Sequence, residues 1–385
     1  MLKELIGLDV RAGAALQVTF DRVILQATPT AGPANTYLAP GWIDLQVNGF
    51  AGVDYNAPDT PHEAIAQSLA VLFSTGVTRF YPTVITGAPD DMRGALANLA
   101  RAKDALADGE AMDGFHVEGP HISPEDGPRG AHPRRWVRRP DVDEFRRWQD
   151  AARGQIRLVT IAPEWPEAPA YIATLAAEGV TLSIGHTTAT AAQIADAVSA
   201  GATMSTHLGN GAHATMPRHP NYIWDQIAED RLTASFIADG IHLPAAFLKA
   251  AIRGKEVARS VLVTDASTPA GAAPGRYRLG EQDLELTADG RVVLAGQDRL
   301  AGSALRMDQA VGNAMRYAGV SLPDAVTMAT TNAARVGRVP GRQLGLLASE
   351  RADFVTFRFD AEREALEIHE TYVSGRRVYR RRPPD

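Results

Sequence analysis

VTLSIGHTTATAAQIADAVSAGATMSTHLG, residues 180–209, decides how this chain folds. The apolar, β-rich run VTLSIGHT (180–187) gives way to TAAQIADAVSAG (190–201), whose apolar residues recur at helical spacing. A second β-rich run, ATMSTHLG (202–209), follows at once. Strand, helix and strand in succession imply two parallel strands joined by a crossover. Each run carries a histidine near its end, His186 and His207.

The same unit extends in both directions. Upstream lie GWIDLQV (41–47), TRFYPTVIT (78–86), DGFHVEG (113–119) and IRLVTIAPE (156–164); downstream lie ASFIADGIH (234–242) and SVLVTDAS (260–267). Helix-like segments such as HEAIAQSLAVLFSTG (62–76) fill most of the gaps. Eight such units over about 230 residues predict an α/β fold, a (β/α)8 TIM-like barrel. The flanks lack this rhythm. ALQVTFDRVILQA at the start, and ADFVTFRFD with TYVSGRRVY at the end, read as short strands and turns. They are expected to meet in one small β-sandwich domain, because each alone buries little. The expected bounds are 1–40 and 338–385 for its two parts and 41–337 for the barrel. A β-like insert, GRYRLGEQDLELTADGRVVLAG (275–296), follows the eighth strand.

Bulk properties narrow the function. The formal net charge of −6 argues against nonspecific nucleic-acid binding. The absence of cysteine excludes disulfides, thiolate zinc sites and cysteine nucleophiles. MLKELIGLDV does not read as a signal peptide, and no apolar run is long enough to span a membrane. A soluble cytoplasmic protein is the expectation. Two arginine clusters, RRWVRR (134–139) and RRVYRRR (376–382), read as a surface loop and a solvated tail.

In a barrel the active site is built at the C-terminal ends of the strands. Taken in order, those ends offer Gln46 and Asn48, Thr83 and Thr86, Glu118, Glu164, His186, His207, Asp239 and His242, and Asp265. Glu118, His186 and His207 are expected to form a catalytic zinc set, since such sites use three nitrogen or oxygen ligands and leave a fourth position open. One histidine in such a place is more often a packing or capping residue; three ligands at three strand ends are not. Asp265 ends the apolar run VLVTD, where a lone buried carboxylate is costly. Its natural role is general base towards the water that the metal activates, then acid towards a leaving amine. A second metal would need an HxH pair at the first strand and a lysine at the fourth. The pair here is Gln46 and Asn48, and the four lysines (Lys3, Lys103, Lys249, Lys255) avoid strand ends. Amides are poor zinc ligands. One divalent metal per subunit, zinc, is therefore expected, with the two amides orienting neighbours or water.

These motifs resemble the amidohydrolase superfamily, and within it the N-acetylglucosamine-6-phosphate deacetylase family. The marks are LAPGWIDLQVNG (38–49), HVEGPHIS (116–123), GAHP (130–133), SIGHTTAT (183–190), THLGN (206–210), ADGIH (238–242), LVTDASTPAG (262–271) and LAGSAL (300–305). The resemblance implies a metal-dependent hydrolase that removes the acetyl group from an amino-sugar phosphate. It also implies site roles beyond the metal and Asp265. His132 would polarise the amide carbonyl, His242 would contact the sugar or its phosphate, and Asn210 with the Gly211 amide would hold the phosphate. Arg218 stands where the family has a phosphate-binding arginine that reaches in from a neighbouring subunit, which implies a homodimer. The departures gather at Gly209, Gly211, Ala212 and MPRHPN (216–221), and His121 stands where an apolar or aromatic residue is common. They fall on the part expected to meet substrate.

Three other readings compete. One keeps the barrel but takes an unphosphorylated or different N-acyl amine. A cyclic-amide hydrolase is weakened by the missing HxH pair and strand-end lysine, and a non-catalytic barrel by an intact catalytic set. His62 is expected at a helix start and His116 inside the barrel wall; His213 and His219 flank the substrate loop.

Overall fold

The computed structural model describes residues 2–31 and 36–382. Eight parallel strands form one sheet in sequential order: β1 (Trp42–Val47), β2 (Val77–Ile85), β3 (Phe115–Glu118), β4 (Ile156–Ile161), β5 (Thr181–Ile184), β6 (Ala202–Ser205), β7 (Thr233–Ile237) and β8 (Ser260–Val263). All eight coincide with runs read from the sequence. They are buried almost throughout, as a parallel sheet covered by helices on one side and its own packed interior on the other must be. The helix Ala191–Ala200 shows why the opening stretch folds as it does. Thr190 and Gln193 close a capping box at its start, and Gly201, at φ 121°, turns the chain out of the helix into β6. His62 opens the helix His62–Phe73, as its place in the sequence suggests.

The barrel closes between β1 and β8 through side chains as well as backbone. Asp44 of β1 accepts hydrogen bonds from the Thr264 hydroxyl at 2.6 Å and the Thr264 N–H at 3.2 Å. One residue past β1, Asn48 N–H donates to the Ala266 carbonyl at 2.7 Å. Burial pushes the Asp44 carboxyl up to about 7, against the opposing pull of the Thr264 hydrogen bonds. This seam sets the first and last strands in register, which brings Gln46 beside Asp265.

Strands from both ends of the chain share one seven-stranded sheet, ordered Arg376–Arg380, Ala365–Val373, Phe354–Asp360, Tyr37–Pro40, Lys3–Asp9, Ala15–Phe20 and Ile24–Pro29. The small β domain is thus made of both termini, around Val18, Phe20, Ile24, Leu38, Phe354 and Tyr372. One expectation fails here. RRVYRRR is no solvated tail, because Arg376–Arg380 pairs as the edge strand against Ala365–Val373. Its charged side chains suit an edge, where they discourage further strand pairing. RRWVRR does lie in a loop, but Arg138 is tied to Glu144 by three hydrogen bonds and anchors it.

The insert forms its own three-stranded antiparallel sheet, Gly275–Leu279, Gln282–Leu286 and Val292–Leu294, with a small core around Leu284 and Val292. It leans on the loop after β3: Gln282 donates to the Ala131 carbonyl, and Glu281 accepts from Trp136.

Candidate metal centre and active site

Glu118 is the last residue of β3, whereas the other reactive side chains of the set stand just beyond their strands. His186, His207 and Asp265 each sit two residues past the end of β5, β6 and β8. All three adopt left-handed backbone, with φ of 50°, 28° and 50°. Non-glycine residues rarely take this conformation, and each costs about 1–3 kcal/mol. Three in one ring of loops is strain gathered where side chains must be turned inward.

Those turns converge. Glu118 Oε1 lies 3.1 Å from His186 Nε2 and 2.9 Å from His207 Nε2, and the two nitrogens are 3.1 Å apart. Among the described residues, one group of three such ligands gathers, and it is this one. The donor set fits a divalent metal. His186 Nδ1 lies 2.7 Å from the Pro128 carbonyl, so its N–H is used there and Nε2 is left to bind an ion. Burial opposes the charged form of Glu118, yet its hydrogen bonds with the two histidines outweigh it and hold its pKa well below the usual range. Burial likewise works against protonated His207, but the Glu118 hydrogen bond and charge prevail and raise it.

Gln46 and Asn48 find their use beside this group. The Gln46 amide donates to Glu118 Oε1 at 3.0 Å and to Asp265 Oδ1 at 2.9 Å. Asn48 donates to the same Asp265 oxygen at 2.7 Å. Asp265 Oδ1 is therefore engaged twice, while among the described residues Oδ2 receives no protein hydrogen bond. Burial and the nearby charge of Glu118 push the Asp265 carboxyl up to about 6.

His132 packs edge-on against His186, with ring centroids 4.5 Å apart, and its Nδ1 lies 2.9 Å from the Thr86 hydroxyl. Burial and the neighbouring His186 push it down to about 3, so it is a neutral imidazole. His242 Nδ1 is 2.6 Å from Asp239 Oδ2, which places Asp239 behind the ring rather than in the ring of reactive groups. His132, His186 and His242, with Asn210 and Gly211, line a cavity of about 580 Å³ above the strand ends.

Other expected members lie elsewhere. Glu164 turns away, holding the Thr188 N–H and the hydroxyls of Thr187 and Thr188. Thr83 is buried in the wall, accepting from Val47 N–H, and His116 reaches Thr160 beside it. His121 is buried against Trp148 and Tyr171, an aromatic site that accounts for its place in the sequence without a role in catalysis. His213 lines the cavity and contacts Tyr222, whereas His219 and Arg218 are exposed and do not line it. Two polar side chains that line it went unread in the sequence: Gln282 of the insert, and Arg299 just beyond the insert.

Gly211 makes a sharp test of this packing. At φ 57°, a Cβ there would stand 2.6 Å from His186 Nδ1. Gly211→Ala is expected to weaken metal affinity about 10–100-fold, the usual cost of disturbing a ligand's support. Metal content after dialysis against a graded chelator measures it, and circular dichroism checks that the fold persists.

Known proteins share this sequence pattern and fold. The family model described as the amidohydrolase family matches residues 37–378. N-acetylglucosamine-6-phosphate deacetylase of Bacillus subtilis is 33% identical over 333 residues, 86% of this chain and 83% of that protein. The Homo sapiens protein of that name is 35% identical over 89% of this chain and 83% of its own length. Among solved structures, a mutant of the Mycobacterium smegmatis deacetylase in complex with N-acetyl-D-glucosamine-6-phosphate superposes with a TM-score of 0.86. It is 31% identical, and the match covers 98% of this chain and 99% of that one. With a strand-end ligand set, a family match over most of its length and relatives of one name, this chain belongs to the amidohydrolase family, in its N-acetylglucosamine-6-phosphate deacetylase branch.

Proposed function

We propose that this chain hydrolyses the acetamido group of N-acetylglucosamine 6-phosphate, giving glucosamine 6-phosphate and acetate. The observation that carries this reading is that one amide, Gln46, ties Asp265 to the Glu118–His186–His207 set at the mouth of the barrel. Glu118, His186 and His207 would hold one divalent metal, zinc in our reading. When bound, it supplies a Lewis acid for the amide carbonyl and lowers the pKa of water.

The remaining chemistry belongs to the chain. Asp265 Oδ2, the oxygen left free by Gln46 and Asn48, takes a proton from the attacking water. The same oxygen returns it to the sugar nitrogen as the C–N bond breaks, so water divides between acetate and amine. If the Thr86 hydroxyl donates to His132 Nδ1, then His132 Nε2–H faces the cavity as a donor to the carbonyl oxygen, where negative charge develops. Asn210 and the Gly211 N–H hold the phosphate, and His242, braced by Asp239, contacts the sugar. The Gln46 amide presents N–H groups rather than a lone pair to Glu118 and Asp265, which supports a single metal.

Arg218 is exposed and outside its own cavity, which supports an arginine that serves the neighbouring copy in a homodimer. Arg218→Gln is then expected to lower kcat/KM for the phosphorylated sugar about 10–100-fold, the worth of a charge-assisted hydrogen bond. Mixing that variant with Asp265→Asn should restore part of the activity, because the mixed dimer contains one complete site; no gain on mixing would sink the shared-site reading. The exposed arginine also keeps open a second reading, an unphosphorylated N-acyl amine. Acetate release from metal-reconstituted protein separates the two, with the phosphorylated and unphosphorylated sugars compared side by side. The same proposal keeps the domain bounds at 1–40, 41–337 and 338–385. It places the protein in the cytoplasm; among the described residues no helix is long and apolar enough to cross a membrane.

A further inference from the structure

We propose that Arg299 is an in-chain contact for the anionic group of the substrate, a phosphate monoester, at the rim of the active-site cavity. This assignment rests on the deacetylase reading above. Among the described residues lining the cavity, Arg299 is the one lysine or arginine. The carboxylates there, Glu118 and Asp265, offer a phosphate dianion no attraction.

Its position is set by the insert. Val293 pairs with Leu300, and Leu294 N–H donates to the Arg299 carbonyl at 2.9 Å, so the backbone is held while the side chain stays exposed. Arg299 Nη1 donates to the Gly130 carbonyl at 3.1 Å. Among the described residues, Nε and Nη2 meet no protein acceptor, so two donors of the guanidinium remain available. A planar guanidinium with free donors suits phosphate oxygens better than a point charge does.

The anchor holds Arg299 against the loop after β3, which packs beside the loop proposed to hold phosphate. A Cβ at Gly130 would lie 3.2 Å from His186 Cε1, and one at Gly211 2.6 Å from His186 Nδ1, so both loops press on one imidazole. A Cβ at Gly127 would lie 3.2 Å from His213 Cα. The loop that receives Arg299 is therefore packed against the segment that follows Asn210 and Gly211. Arg218 is outside the cavity of its own chain, so Arg299 supplies within one chain the positive charge that Arg218 would bring from another.

The test uses the full-length, metal-reconstituted protein. kcat/KM is measured for N-acetylglucosamine 6-phosphate and for the unphosphorylated sugar in wild type, Arg299→Gln and Arg299→Lys, and inorganic phosphate binding is followed by calorimetry. Arg299→Gln is expected to lower the phosphorylated-to-unphosphorylated ratio about 10–100-fold, mainly through KM, and to weaken inorganic phosphate binding by a similar factor. Arg299→Lys, which keeps the charge without the fork, should fall between. A wild-type ratio with wild-type phosphate affinity in Arg299→Gln overturns the proposal. If that variant does not fold, Arg299→Lys decides: an intermediate ratio supports it and an unchanged ratio overturns it. Should wild type release acetate from neither sugar, the deacetylase reading fails. Arg299 is then judged on inorganic phosphate alone, where lost binding in Arg299→Gln keeps the assignment and unchanged binding ends it.

Discussion

Asp265→Asn is expected to lower kcat for acetate release by about 10³- to 10⁴-fold while leaving metal content unchanged. The magnitude is the upper part of what a positioned acid–base group contributes, because Asp265 serves twice in one turnover. The variant is a clean one. An asparagine oxygen can still accept from Gln46 and Asn48, so the seam beside Glu118 survives, and Asp265 is not in the ligand set. The pH dependence has a definite sign. The base form must be ionised, so activity rises with pH through the Asp265 pKa. Burial and the Glu118 charge push that pKa up to about 6, and a cation held by Glu118 offsets its charge and draws the value down. The acid limb of kcat/KM should therefore lie at or below about pH 6 and vanish in the variant. Single-turnover acetate release across pH, with metal quantified in parallel, measures both; near-wild-type turnover in Asp265→Asn would remove it from the mechanism.

The largest stability effect is expected far from the cavity, at the opposite end of the barrel. Asp353, wholly buried, takes Arg79 Nε at 2.7 Å, Arg351 Nε at 2.8 Å and Arg342 Nη2 at 3.4 Å, and accepts Ser374 N–H at 2.9 Å. Arg79 also reaches Asp113 at 2.9 Å and the Pro340 carbonyl at 2.7 Å. One carboxylate thus joins β2 to the small β domain. Asp353→Ala leaves buried guanidinium groups without their partner and is expected to destabilise the fold by about 3–5 kcal/mol. Burial alone would raise the Asp353 pKa, but the three arginines hold it at about 2. A folded-state pKa below the unfolded value contributes stability above that unfolded value, near 4. That contribution is lost as pH falls through about 2. Wild type should lose melting temperature across that window, and Asp353→Asn should start lower and lose less. Parallel melting curves for the two proteins would discount the knot as a source of stability.

Much of the site was legible because barrels encode position in order. A residue at the end of an apolar run is at the mouth whichever strand it ends, so Glu118, His186, His207 and Asp265 could be gathered without knowing any distance. The same rule erred where a side chain had a closer partner: Glu164 is claimed by Thr187 and Thr188, and Asp239 by His242. RRVYRRR was misread because charge suggests solvent, while an edge strand satisfies charge and pairing together.

The sequence by itself determined the eight-strand order and the small domain made of both termini, and it singled out Glu118, His186, His207 and Asp265 as the candidate set, since these follow from local periodicity and chain order. Only the tertiary structure decided what Gln46 does, that Asp353 ties β2 to the terminal sheet, that Arg218 is outside its own cavity and that Arg299 lines its rim. The reason is physical. Spacing of two or three to four residues governs strands and helices, but Gln46 and Asp265, or Arg79 and Asp353, are neighbours only once the barrel has closed.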